Sequence, residues 1–221
     1  MRKIDKALDL ATYYKDWIVS LGINPHPKYD SQNEYYKDVV ANLLWVQKGL
    51  CAYTERFLID AQRVSPEKWN GGKFNKVEID GDLDHYDPTR NSDFGWEWSN
   101  FFMIDKNTNS SRVKGVKIPN SILKPDSEDY DPFYYLEYDF NDHIYNPKSE
   151  LDFDYKKKIK HDIDTLGLNY QPIVDFRAKY LTPVILEVQN KRKTIEEASN
   201  DLIQFYTAFE MSIKQLNLQE L

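Results

Sequence analysis

The residues best suited to chemistry are gathered in one part of the chain. Asp82-Leu83-Asp84-His85-Tyr86-Asp87-Pro88 is followed by Trp98-Ser99-Asn100 and then by Asn107-Thr108-Asn109-Ser110-Ser111-Arg112. An imidazole is the side chain whose ordinary pKa suits proton abstraction from water near neutral pH. A carboxylate and an amide supply the oxygen donors that a hard divalent cation takes. Together these types suit hydrolysis of a phosphodiester: His85 removes a proton from water, while a cation held by Asp84 and Asn109 takes up charge on the phosphate. Each residue also has a plainer use. His85 can be hydrogen-bonded at a strand end, Asp84 can cap a turn, Asn100 can bridge the backbone of a loop, and Asn109 can cap a helix. Asn107 competes with Asn109 as the amide ligand.

The surrounding pattern predicts the elements that must bring these residues together. Gly71 to Lys76 is turn-like and Val77-Glu78-Ile79-Asp80 alternates, which predicts a hairpin from about 77 to 86, with Asn109 on the first turn of a following helix. Ala7, Leu10, Ala11, Tyr14, Trp17 and Ile18 recur at helical spacing, giving a first helix. A second opens on the capping-box pattern Ser31-Gln32-Asn33-Glu34 and buries Tyr36, Val40, Leu43 and Leu50. Residues 119 to 150 hold Pro119, Pro125, Pro132, Pro147 and many acids, and read mostly as loop. A helix from Tyr155 to Leu166 ends at Gly167. The last begins at Thr194-Ile195-Glu196-Glu197 and carries Leu202, Phe205, Phe209, Ile213 and Leu216 on one face. His26, between two prolines, reads as a turn residue, and His143 and His161 as surface residues.

Composition sets the outer bounds. A chain of 221 residues can bury one good core. A single cysteine excludes a disulfide framework and fits a reducing cytosol. The polar start and the lack of any apolar run near ~20 residues predict neither a signal peptide nor a membrane span, hence a cytoplasmic protein. A net charge of −7 repels a phosphate backbone at long range and argues against a nuclease that works alone. Lys156 to Lys160 and Lys191 to Lys193 read as solvated helix faces. Arg112, Lys114 and Lys117, just after the proposed metal ligand, are the better candidates for contacts to DNA phosphates.

Further stretches complete an ordered set: Lys48-Gly49-Leu50-Cys51-Ala52-Tyr53-Thr54-Glu55 before the Asp-His pair, then Trp98-Ser99-Asn100-Phe101 and Asp105-Lys106-Asn107-Thr108-Asn109. After these come Ile122-Leu123-Lys124-Pro125 running on to Asp131-Pro132, and Leu166-Gly167-Leu168-Asn169. Over about residues 36 to 180 this order resembles the HNH (ββα-metal) endonucleases, and more narrowly the HNH proteins that accompany an ATPase in Septu-type and some retron phage-defence systems. The resemblance implies an α+β fold, a ββα-metal finger embedded in a mainly helical domain. N-terminal helices would occupy 1–50, the finger 51–125, and an acidic loop with C-terminal helices packing on the finger 126–221. It implies a DNA endonuclease that leaves a 5′ phosphate and uses Mg²⁺ or Mn²⁺ on Asp84 and Asn109. His85 and Asn100 would form the catalytic group, and an ATPase partner from a defence operon would supply the DNA-binding surface and the trigger. Of the four cysteines that hold structural zinc in such fingers, only Cys51 remains, with Thr54, Asp105 and Thr108 at the other positions. One thiolate, one carboxylate and two hydroxyls are a poor tetrahedral zinc set, so zinc is expected to be absent, with Tyr53, Phe57, Trp98 and Phe102 packing the finger instead. Asp87 stands where the family has a basic residue. A finger with its metal chemistry lost, acting only as a partner- or nucleic-acid-binding module, is the alternative that these departures favour.

Overall fold

A computed structural model of the chain describes residues 1–6, 12–69, 74, 81–110 and 113–218, apart from the Thr12 side chain. Its helices are α1 (Thr12–Leu21), α2 (Tyr36–Val46), α3 (Asn91–Phe94), α4 (Pro132–Tyr135), α5 (Phe153–Thr165), α6 (Gln171–Gln189), α7 (Ile195–Asn200) and α8 (Tyr206–Gln215). Its strands are β1 (Gly81–His85), β2 (Phe101–Asp105), β3 (Leu136–Asp139) and β4 (Ile144–Pro147). They form two antiparallel ribbons, β1 with β2 and β3 with β4, so the architecture is α+β. No helix among the described residues is long and apolar enough to cross a membrane.

A two-stranded ribbon is marginal in water unless something packs on it. Here α2 supplies the support, burying Val39, Ala41, Leu43 and Leu44 completely. Just past its end the Gln47 amide donates to Met103 O (2.8 Å) and accepts from Met103 N (2.9 Å), and Ala52 N also donates to Met103 O (3.0 Å). The outer edge of β2 is thereby satisfied by a side chain and a turn, which explains why all five of its residues can be buried. The partner of β1 is therefore 101–105, about fifteen residues further on, and not a strand within 77–86. Residues 77–80 of the expected hairpin, like Ala7, Leu10 and Ala11 of the expected first helix, lie outside the described residues.

Several expectations are corrected. Ser31 to Glu34 do not cap a helix: Asp30 and Asn33 accept from Gln32 N and Tyr35 N, folding 31–35 into turns, and α2 starts at Tyr36. Residues 119–150 are not mostly loop, since they contain α4 and the β3–β4 ribbon. His143, read as a surface residue, is buried, with Nδ1 2.8 Å from Tyr138 Oη and Nε2 2.9 Å from Thr182 Oγ1. The ribbon folds back onto α6, where the buried Arg177 donates to the carbonyls of His143 and Leu168 and lies over the Tyr145 ring. Asn169 clamps Tyr145 N and O, both at 2.8 Å. The single terminal helix is two. The Thr194–Glu197 capping box does open α7, yet the chain breaks after Asn200 and Phe205 takes a left-handed conformation (φ 59°). Tertiary bonds override helical continuity there: Gln204 Oε1 accepts from Phe57 N, Phe205 N donates to Glu55 O, and Thr207 N donates to the Glu55 carboxylate. Leu202, Phe205, Phe209 and Ile213 are buried in the chain's own core, with Leu216 packed at its margin. The buried Glu55 also lies 3.1 Å from the α-ammonium of Met1.

The stop to α5 follows the sequence: Gly167 closes it at φ +70°. A Cβ there would sit 2.5 Å from Val113 Cγ1 and 3.3 Å from Thr108 Cγ2, so this glycine also admits the loop that follows β2. Gly167→Ala should lower stability by about 2 kcal/mol or more, the left-handed penalty plus the contact, in urea unfolding. A variant as stable as the parent would contradict this packing.

Candidate functional site

The register of the first ribbon sets Asp84 opposite Phe102 and His85 opposite Phe101. Neighbours on a strand point to opposite faces, so the acid and the imidazole project away from one another. The His85 ring meets Tyr29 edge-on, with centroids 4.7 Å apart, and lies 4.9 Å from Phe101. Its Nε2 is 2.8 Å from the Gly95 carbonyl. A carbonyl only accepts, so Nε2 carries the proton and Nδ1 keeps a free lone pair. Burial holds the imidazole below its ordinary pKa, leaving it neutral near pH 7. The Gly95 loop is itself fixed: His26 N donates to Asp93 O (2.7 Å), and His26 Nδ1 accepts from Trp96 N (3.3 Å). A side chain at Gly95 would approach Asn91 O to 2.8 Å and Tyr29 Cβ to 3.1 Å.

Asn100 completes this loop. Its amide accepts from Asp87 N (2.8 Å) and donates to Asp87 O (2.9 Å), while its carbonyl accepts from Tyr86 N. Its role here is the plainer one, bridging backbone groups; it positions the segment that leaves β1 and touches no reacting group.

On the other face, the buried Asp84 accepts from Tyr53 Oη at 2.6 Å and lies 3.5 Å from Lys114 Nζ. Lys114 is fully buried and also donates to His85 O at 3.1 Å. This corrects its reading as a phosphate contact: its ammonium is the counter-ion of Asp84 and a strut between β1 and the 113–117 loop. Burial pushes the Asp84 carboxyl up to about 6, against the opposing pull of Lys114 and Tyr53, and pushes Lys114 down. Arg112 lies outside the described residues, and Lys117 is exposed.

The segment after β2 is a run of turns through Asn109, not the first turn of a helix, and no helix occurs among the described residues between β2 and α4. Asn109 Nδ2 reaches Asp82 Oδ2 at 3.4 Å, whereas Asn107 is exposed with its N–H on Asp105 Oδ1. Asp82 and Asn109 are thus brought together, and Asp84 is held elsewhere. No cluster of three or more His, Cys, Asp or Glu placed to hold a metal occurs among the described residues.

The four positions that the resemblance assigns to zinc knuckles do converge. Cys51, Thr54, Asp105 and Thr108 are all buried. Cys51 Sγ accepts from Thr54 N (3.5 Å) and Asp105 N (3.3 Å), Thr108 donates twice to Asp105 O, and the Asp105 carboxylate pairs with Arg56. Hydrogen bonds join the two turns, and burial raises the Cys51 thiol, which disfavours a thiolate. Sequence reasoning missed the Tyr53–Asp84 bond, the Lys114 counter-ion and the Gly95 carbonyl. Only Tyr53 gave a signal, as an aromatic residue expected in the packing.

Lys114→Met should destabilise on the order of 3 kcal/mol, because it leaves the buried Asp84 carboxylate without its counter-ion, and the double variant with Asp84→Asn should lose less than the sum of the singles. The folded pKa of Asp84 is raised from 3.8 to about 6. The folded state therefore binds more protons in that window, and the parent's stability relative to Asp84→Asn should fall as pH rises from about 4 to about 6. Additive singles, or a difference that does not change with pH, would contradict the pairing. Elemental analysis of the purified protein should find no stoichiometric zinc, and one zinc per chain surviving mild chelation would overturn the hydrogen-bonded reading of the knuckles. No known protein-family model matches the chain, and no curated protein does.

Proposed function

We propose that the chain is an HNH-type endonuclease that hydrolyses DNA phosphodiesters, with His85 as the general base. The observation that supports this most is the Nε2–H bond to the Gly95 carbonyl, which leaves Nδ1 unprotonated on a ring with a depressed pKa. In the reaction Nδ1 takes a proton from water, the water oxygen bonds to phosphorus, and the P–O3′ bond breaks to leave a 5′ phosphate. Solvent protonates the departing 3′ oxygen, and His85 returns its proton to solvent.

The donor set as folded does not fit the Mg²⁺ or Mn²⁺ that the resemblance implies. Asp84 already faces an ammonium and a tyrosine hydroxyl, and Asn109 reaches Asp82 instead. His85 is therefore the group that carries the proposed reaction, and turns rather than a helix follow β2 among the described residues. The same observation favours a second reading, a finger that only binds DNA or a partner. With the net charge of −7 weakening encounter with DNA, an ATPase partner from a defence operon fits either reading.

A plasmid-cleavage assay, run with Mg²⁺, Mn²⁺ or chelator and with or without the product of the neighbouring gene, separates the readings. Cleavage by the parent should fall by about a thousandfold or more in His85→Ala, assayed at a temperature where circular dichroism shows the variant folded, because loss of the buried ring and its bond to Gly95 O also lowers stability. A His85→Ala protein that cuts as fast as the parent would refute the assignment, and a parent that never cuts would favour the binding module.

A further inference from the structure

A groove of about 420 Å³ lies along α5, lined by Asn120, Asp154, Lys157, Lys158 and His161. Its charge is local and positive on a chain whose net charge is −7. The helix's other acids are already committed. Asp152 accepts from Tyr155 N (2.9 Å), Asp164 pairs with Lys160 (2.9 Å), and the buried Asp162 accepts from the N–H groups of Asn120, Ile122 and Leu123. Asp154 alone among the lining residues opposes an anion. Lys157 and Lys158 are exposed, and neither forms an ion pair among the described residues.

The groove is coupled to the candidate site by one short segment fixed at both ends. At one end Lys114 Nζ donates to His85 O (3.1 Å). At the other His161 Nε2 donates to Ile118 O (3.0 Å) and Asn120 Nδ2 to Lys158 O (3.2 Å). Lys117 is exposed between them. From Lys114 to Asn120 the chain spans at most about 20 Å, about six phosphates along one strand of duplex DNA.

We propose that the α5 groove holds the phosphate backbone of duplex DNA beside the candidate site, with Lys157 and Lys158 as the contacting residues. This rests on the nuclease reading for the identity of the ligand. The lysines then serve a purpose that a merely solvated helix face would not, because loss of two phosphate contacts changes the salt dependence of binding as well as its strength.

The test is fluorescence anisotropy of a short labelled DNA duplex against the full chain in chelator across a salt series, which reads binding without cleavage. Lys157→Glu/Lys158→Glu should weaken binding by about tenfold or more and reduce the slope of log K against log salt by about 2. Lys157→Gln/Lys158→Gln should do the same in direction, and it keeps the test open if charge reversal disturbs folding. Lys191→Gln/Arg192→Gln, in the other basic run, should bind like the parent. Groove variants that match the parent, a control that loses as much as they do, or a parent that binds no duplex would each overturn the proposal. A parent that binds through the groove yet never cuts would sink the nuclease reading and leave the groove standing. One that cuts with unaltered groove variants would do the reverse.

Discussion

The fold turns on the problem of making two short strands rigid. A ribbon of five residues a side has one edge of unpaired backbone along each strand, and β2 lies in the core where water cannot satisfy it. One amide solves the central position: Gln47 meets both main-chain groups of Met103. With β2 fixed, register determines the rest. Phe101 becomes the floor under His85 and Phe102 the floor under Asp84. The 86–100 excursion must then return to the ribbon, which it does through the Asn100 bridge to Asp87 and the Gly95 carbonyl at His85.

Charge is handled in two ways. The net charge is acidic, while several charges inside the chain are each met by one opposite charge: Asp84 by Lys114, Glu55 by the Met1 ammonium, and Lys6 by Asp126 at 3.1 Å. Burial brings Lys6 down to about 7, and its ammonium also lies 3.8 Å from the centre of the Phe102 ring. Such pairs contribute little net stability, because desolvation offsets their attraction, yet each is costly to break and so specifies one arrangement. At the candidate site the consequence is functional. An acid that would otherwise recruit a cation or repel a phosphate is neutralised from within the fold.

Much of this was legible in the sequence where local chemistry decides the outcome. The α7 capping box and the glycine after α5 rest on short-range rules, whereas the meeting of positions 51 and 54 with 105 and 108 was expected only from the resemblance. The structural use of Asn100 was readable for the same reason, since an amide is the side chain that can bridge an N–H and a carbonyl together. What escaped were long-range facts. Nothing local in 201–207 announces that Glu55 will break a helix there, and nothing in a proline-rich acidic stretch announces β3 and β4. The separation of Asp84 from His85 follows from strand alternation once β1 is known, but adjacency in sequence suggested proximity in space. Lys114 read as a surface charge because lysines usually are; only its approach to a buried carboxylate makes it a core residue.

The central claim is that His85 is a neutral imidazole held through Nε2, with Nδ1 free to accept a proton. The most direct measurement is a pH titration by ¹⁵N-detected NMR of imidazole-labelled protein, with His85→Ala used to assign the resonance. The account predicts the Nε2–H form at neutral pH and a pKa below the ordinary 6.5. An Nδ1–H tautomer, or a His85 pKa raised above that value, would contradict it.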